Sequence, residues 1–427
     1  MTKEILTSAR LGESYTRVKH DSGLTVHLYP MKGFSTAYAI MGTKYGSVDT
    51  TFRTREDKDF ITVPEGIAHY LEHKLFEGEE CNAFENFAKT GAYSNAFTSF
   101  DQTAYYFSCA GRFGENLRTL LDFVQNPYFT DENVQKEQGI IAQEIKIYLD
   151  DPGWKVLFNC LGAIYENNPV RIDIAGTVES ISHINKELLY RCYNTFYNLN
   201  NMTLAIAGNF DPDEALTICD EMLKSSADPG LETKVPDEPP TVKERRVTQK
   251  LYCAVPLFQI GYKMPNLTGR ESVRQYYIWN TLFNTAFGSF SPFYAKFYDE
   301  GLINAAFAPG VFKGRGFFVP MISGDSRDPD RVNEEITKEI ERLKREGIPR
   351  GDFEVVKKSS YGDMIAGFNN VSSVGRSLMS TYFNECDIYS PIDICADVSY
   401  EDITEALHSL DTDNSSLSII EPMTGDK

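Results

Sequence analysis

The stretch Glu65-Gly-Ile-Ala-His69-Tyr-Leu-Glu72-His73-Lys-Leu-Phe76-Glu-Gly78 decides how the rest of the chain is read. It predicts one short helix, opened near Pro64 and closed by Gly78, in keeping with the preference for Pro at helix starts and Gly just past helix ends. At about 3.6 residues per turn, His69 and His73 project from one face a turn apart. Glu72 lies beside them, while Ile67, Leu71 and Leu75 form a separate apolar stripe that suits a core. Two imidazoles in this relation can hold one zinc, and the adjacent carboxylate can reach a water on that metal. The order is HxxEH, the reverse of the commoner HExxH. A histidine on a helix more often serves packing than metal. This chain has only six His, at 20, 27, 69, 73, 183 and 408. In so His-poor a sequence the full pattern is expected by chance on the order of one time in a hundred.

With 427 residues the chain exceeds what one hydrophobic core serves, which predicts two domains of roughly 200 residues each. A hydrophobic content of 42% with 13% aromatics supports packed cores and excludes a disordered chain. Acidic residues outnumber basic ones by 61 to 42, a formal charge of −19. That balance argues against nucleic acid, whose phosphates it would repel. It suits a soluble cytosolic surface and tolerates basic peptides. The opening residues have no apolar core of signal-peptide length, and no apolar run approaches the length of a bilayer span, so no membrane association is expected. Eight Cys, at 81, 109, 160, 192, 219, 253, 386 and 395, are scattered without CxxC spacing. They predict buried thiols in a reducing cytoplasm, not a zinc ribbon or a disulfide frame.

Outward from the His helix, the chain divides into two similar halves. Residues 24–48 alternate apolar and polar and read as a strand pair before the helix. After it, 94–100 and 103–108 read as a hairpin turning at Asp101-Gln102, followed by helices over 114–125 and from Thr130 onward. Thr130 is a plausible N-cap, and Asp131 and Glu132 suit the positive end of the helix dipole. Met202-Thr-Leu-Ala-Ile-Ala-Gly208 reads as a buried strand. From Ser225 to Arg246 periodicity is lost among prolines and charges, which predicts a linker. Beyond it the order recurs: a strand at 256–264, a helix at 270–287, strands through 303–323, helices at 328–346 and 351–367, and a last strand at 415–420. The expectation is therefore an α+β protein of two related domains, 1–224 and 247–427, joined by 225–246. In the second half, Glu271-Ser-Val-Arg-Gln-Tyr-Tyr-Ile-Trp-Asn-Thr-Leu-Phe283 fills the place of the His helix and holds no His.

Two His leave tetrahedral zinc one protein ligand short, with the last position open to water or substrate. The segment after Thr130 offers Glu137 and Glu144, seven residues apart and so nearly two turns along one helix face. One can ligate the metal while the other supports a ligand His by hydrogen bond. Most helix glutamates are merely solvated, and the spacing alone leaves the two roles open.

Glu65-Gly-Ile-Ala-His69-Tyr-Leu-Glu72-His73, Gly91-Ala-Tyr-Ser-Asn95-Ala96-Phe97-Thr98, the run from Glu137 to Glu144, and Gly176-Thr-Val-Glu-Ser-Ile together resemble the pitrilysin/insulinase family of inverted zinc metallopeptidases. The likeness is to the half-length subgroup related to mitochondrial processing peptidase, and within it to the bacterial YmfH-like branch. It extends over nearly the whole chain. The resemblance implies that Glu144 is the third ligand of one zinc per chain, that Glu137 is a carboxylate behind a ligand His, and that Glu72 is the general base. It implies two domains, each a mainly antiparallel sheet packed by helices, forming half of a clamshell. Asn95, Ala96 and Phe97 resemble the family's edge strand, onto which a peptide substrate adds through main-chain bonds. Alternation of Asn95, Phe97 and Ser99 also suits a plain structural strand.

One departure stands in the second half. Complete family members carry, after a Gly-rich segment, an Arg and seven positions later a Tyr, which contact substrate and stabilise the developing oxyanion. Along Gly288 to Asn304 this chain has Phe297 at the Arg position and Asn304 at the Tyr position. Tyr298 and Lys296 stand nearby, one residue out of phase. Family members pair as two facing halves. An intact metal site with a missing Arg and Tyr therefore implies a heterodimer with a homologous chain that lacks HxxEH and supplies both, ahead of a homodimer. The sequence thus points to a cytoplasmic zinc endopeptidase subunit acting on peptides or unfolded segments. The competing class is a non-catalytic scaffold, but a scaffold need not keep His69, Glu72, His73 and Glu144 together.

Overall fold

The computed structural model describes residues 1–79, 82–225 and 227–423; Cys81 lies outside them. Along the chain come β1 (Thr2–Ser8), β2 (Glu13–Lys19), β3 (Thr25–Pro30), β4 (Ala37–Thr43), β5 (Thr51–Arg53), β6 (Ile61–Thr62), α1 (Ile67–Leu75), α2 (Ala83–Thr90), β7 (Tyr93–Thr98), β8 (Thr103–Cys109), α3 (Phe113–Gln125), α4 (Asp131–Asp150) and α5 (Pro152–Ile164). Next are α6 (Val178–Ser182), α7 (Lys186–Phe196), β9 (Met202–Gly208), α8 (Pro212–Met222), β10 (Glu232–Thr233), β11 (Arg246–Leu251), β12 (Leu257–Tyr262), α9 (Gly269–Phe287) and α10 (Pro292–Asp299). The chain ends with β13 (Ala308–Gly314), β14 (Phe317–Asp325), α11 (Pro329–Glu346), α12 (Arg350–Gly367), α13 (Val371–Phe383), α14 (Ser390–Asp397), α15 (Tyr400–Ser409) and β15 (Ser415–Pro422).

These elements form two units, each gathered from three stretches. The first holds Met1–Ile145, Asp173–Lys234 and Ala366–Tyr389; the second holds Lys146–Ile172, Val235–Ile365 and Ser390–Lys427. In the first, seven strands run in the order β1-β2-β3-β9-β4-β8-β7. The strands of 24–48, expected as a pair, are not neighbours. β9 enters between them, parallel to β3 and antiparallel to β4. Its seven residues are all buried, the near-continuous apolar run of a central strand. α13 lies on one face of this sheet, against β4 and β9, and α1 lies against β7 and β8.

The second unit has five strands in the order β11-β15-β12-β14-β13. Here too the chain's last strand enters beside the first in parallel, β15 against β11, and pairs antiparallel with β12. Five successive strands of the first sheet, β3-β9-β4-β8-β7, have the same connectivity, and α1 and α9 are the first helices after the strands, β4 and β12, that flank the insertion. The repeat anticipated from element order is therefore a repeat of topology. Phe258, Ile260, Trp279, Phe283 and Ile322 anchor the second core. The fold is α+β, each unit a mainly antiparallel sheet packed by helices. Among the described residues, no helix is long and apolar enough to cross a membrane.

Candidate metal centre

The His helix spans Ile67–Leu75, and its start is set by Gly66 in the left-handed region at φ 89°. Ile67, Leu71 and Leu75 are buried as the apolar stripe requires. The helix is fastened to the start of α4 by two side chains. The Tyr70 hydroxyl donates to the Val134 carbonyl. Lys74, fully buried, donates to the Asn133 carbonyl at 3.3 Å and pairs with Glu77. A buried ammonium needs such partners to remain charged. At that end of α4, Thr130 Oγ1 accepts from Asn133 N–H, and Asn133 Oδ1 accepts from Thr130 N–H, a reciprocal cap on the start foreseen there.

This fastening sets Glu137 and Glu144 opposite the two imidazoles. His73 Nδ1 lies 2.9 Å from Glu137 Oε1, while its Nε2 lies 3.4 Å from Glu144 Oε2. His69 Nε2 lies 3.7 Å from Glu144 Oε1. Ligand atoms of His69, His73 and Glu144 all fall within 4.8 Å of one another. Two atoms each about 2.0–2.1 Å from a tetrahedral zinc lie roughly 3.3 Å apart, close to the 3.4 and 3.7 Å from the two imidazoles to Glu144. With Nδ1 turned to Glu137, His73 presents Nε2 to the same point. His69 is held differently: its Nδ1 is buried with no partner among the described residues.

The charges follow from these contacts. Burial lowers the His69 pKa to about 4, helped by the neighbouring His73. At His73, burial also acts downward, but its hydrogen bonds to Glu137 and Glu144 outweigh it and raise the pKa to about 10. Burial alone would raise Glu137; the bond to His73 reverses this and holds the carboxyl below its usual range. Glu72 goes the other way. Burial raises it, opposed by a hydrogen bond from Thr98 Oγ1 at 2.8 Å. Of these four groups, His73 and Glu72 are pushed up and His69 and Glu137 down, as in sites built for proton transfer or metal.

Asn95, Ala96 and Phe97, the residues expected on a substrate strand, lie on β7. Asn95 Oδ1 accepts from Ala96 N–H, and its Nδ2 donates to the Tyr93 hydroxyl. β7 is an edge of the sheet, paired among the described residues only with β8, so its outer row of backbone groups is open to another strand. Thr98 was missed as a site residue. Its signal was present in the alternation, since residues 94, 96 and 98 share the face that turns to α1. Lys74 and Tyr70 gave no comparable signal, because their partners are backbone carbonyls distant in sequence.

In the second unit, Phe297 is buried, packs on Phe293 at 4.7 Å between ring centroids, and has the Lys296 ammonium over its ring. Asn304 Oδ1 accepts from Ala306 N–H. Tyr298 is half exposed and stacks on Tyr294.

Residues 62–178 match the model of the insulinase family, peptidase family M16, and residues 183–360 match that of the peptidase M16 inactive domain. The chain is 37% identical over 403 residues to the uncharacterized zinc protease YmfH of Bacillus subtilis (strain 168), covering 93% of this chain and 94% of that protein. It is similar in structure to an M16-like peptidase from Alicyclobacillus acidocaldarius, with a TM-score of 0.93 at 35% identity over 96% of this chain and 98% of that one. At 16% identity the periplasmic protease PqqL of Escherichia coli shares the fold, with a TM-score of 0.74 over 95% of this chain but 47% of PqqL.

Proposed function

From a chain that belongs to the insulinase family, peptidase family M16, we propose a zinc-dependent endopeptidase subunit that hydrolyses peptides or unfolded segments inside a closed chamber. The observation that carries this reading is the convergence of His69, His73 and Glu144 on one point with the Glu72 carboxylate held beside them by Thr98. His69, His73 and Glu144 would hold the zinc, which when bound makes water acidic near neutrality and polarises a carbonyl. Glu137 fixes the tautomer and orientation of His73. Glu72 takes the proton of the attacking water and returns it to the leaving amine, and burial raises its pKa, which makes it the stronger base. Substrate joins β7 as an added strand, through main-chain bonds along Asn95, Ala96 and Phe97.

The reading includes a partner. Phe297 is part of a core and Asn304 spends its oxygen on the backbone, so neither offers the cation or phenol that complete members bring to the oxyanion. A homologous chain that lacks HxxEH and carries that Arg and Tyr would complete the site. A cytoplasmic location is favoured by the described cysteines, buried save for Cys253 and dispersed along the chain.

The test is metal analysis of protein purified without chelators, joined to peptide cleavage. About one zinc per chain is expected, by the ligand count of an open catalytic site. Glu72→Gln should keep zinc and fold while cleavage is abolished. Absence of tightly bound zinc, or undiminished cleavage by Glu72→Gln, would sink the proposal.

A further inference from the structure

β7 has two faces, and the metal-facing one accounts for only half of its side chains. Tyr93, Asn95 and Phe97 share the opposite face, and there Phe97 meets Arg376 of α13. There the Arg376 guanidinium lies over the rings of Phe97 and Tyr106, 5.2 and 4.6 Å from their centroids. The helix reaches this close because of Gly375, where a Cβ would meet the Tyr38 ring at 2.5 Å. Arg376 itself is exposed, and among the described residues no carboxylate pairs with it, although Arg17, Arg191 and Arg246 of the same acidic chain each hold one. Resting on aromatic faces and beside the Tyr38 hydroxyl, the guanidinium is fixed in direction and has N–H donors to spare for a ligand.

Residues opposite one another across paired strands share a face. A strand added along β7 would therefore alternate its side chains, one set toward Glu72 and the metal ligands, the other toward Phe97 and Arg376. We propose that Arg376 is a specificity-determining residue that selects substrates carrying a carboxylate side chain, Asp or Glu, on that second face. This rests on the reading of β7 as the substrate strand, and it adds side-chain preference to a mode of binding that otherwise reads only backbone. The partner chemistry follows from the fork of N–H donors, which matches a carboxylate in two-point geometry.

The experiment uses the full chain and blocked, unstructured peptides in which each position in turn is Glu, Gln or Lys, with kcat/KM read by mass spectrometry. Wild type is expected to favour Glu over Gln by about tenfold at one position or at positions two apart, the scale of one charge-assisted pair. Arg376→Ala should bring that ratio to about one, and Arg376→Glu should turn the preference to Lys. An unchanged Glu:Gln ratio in Arg376→Ala overturns the proposal. Peptide binding to Glu72→Gln, measured by fluorescence anisotropy, separates the two readings. A Glu preference lost on adding Arg376→Ala supports this assignment even if no peptide is cleaved. Equal binding of Glu and Gln peptides overturns it, as does a preference that appears only when the peptide's C-terminus is left free.

Discussion

Seven residues of helix separate Glu137 from Glu144, and His73 touches both, Nδ1 on the first and Nε2 toward the second. The sequence left their roles open because equal spacing on one face says nothing about which carboxylate meets which ring nitrogen. We expect Glu144→Gln to strip zinc, since a neutral amide oxygen replaces an anionic ligand. Glu137→Gln should weaken zinc by only about 10–100-fold, the usual effect of losing a carboxylate behind a ligand His. Competition with a chromophoric chelator measures both, and the reverse order would exchange the two roles. A second residue makes a stability prediction. His27 is 1% exposed, both its ring nitrogens lack partners among the described residues, and burial followed by the Arg17 charge lowers its pKa to about 3. The unfolded chain binds a proton near pH 6.5 that the folded chain refuses, so His27 contributes fully above that pH and destabilises as pH falls toward 3. At pH 5, His27→Phe should exceed wild type by about 2 kcal/mol in unfolding free energy, with little difference at pH 8. Parallel loss of stability with acid in both proteins would refute the assignment.

At the scale of elements, the run Gly176-Thr-Val-Glu-Ser-Ile acquires a mechanical reason. Gly66 and Gly176 both have positive φ, and each backbone presses on the other's neighbour. A Cβ on Gly66 would lie 2.4 Å from the Ala175 oxygen, and one on Gly176 would lie 2.5 Å from the Glu65 oxygen. Ser180 Oγ also donates to that Glu65 oxygen at 2.9 Å. The start of α6 thus clamps the start of α1, and through it the ligand histidines. Gly66→Ala or Gly176→Ala should cost more than about 1 kcal/mol, the left-handed penalty alone, and should also loosen zinc. Thermal unfolding with and without zinc checks this: a variant that loses stability equally in both, with unchanged zinc affinity, would show that the clamp does not reach the metal site. Such a clamp could not be read from sequence, where the two glycines lie far apart. What could be read were elements with strong local signals: the His helix with its Pro and Gly ends, the hairpin of β7 and β8, and the helix capped at Thr130. β9 was foreseen as a buried strand, but its place between β3 and β4 depends on pairings across most of the first unit. α13, which brings Arg376 to the sheet, gave no periodic signal that told it from other helices. The chain's return to the first unit at Ala366 is a matter of long-range packing alone.

For the molecule as a whole, the two sheets share one plan and divide its chemistry. The first unit carries HxxEH on the helix after β4. The second has Trp279 and Phe283 buried on the helix after β12. The second unit's departure is equally built in. Phe297 belongs to the aromatic cluster with Phe293, so restoring an Arg there would place a guanidinium in a core, where an unpaired charge is costly. The position has therefore been given over to packing, and a homodimer would have to draw its oxyanion stabilisation from Tyr298, which is half exposed, or from backbone donors. The prediction is that this chain alone binds zinc but turns peptides over slowly. A homologous chain that lacks HxxEH and retains the Arg and Tyr should raise turnover by about 10²–10³-fold, the effect of one oxyanion donor. Mutating the partner's Arg or Tyr should abolish that gain, while Tyr298→Phe in this chain should leave the mixed enzyme's rate in place. If the chain alone is fully active and Tyr298→Phe removes that activity, the site completes itself between like copies and the division of labour proposed here is wrong.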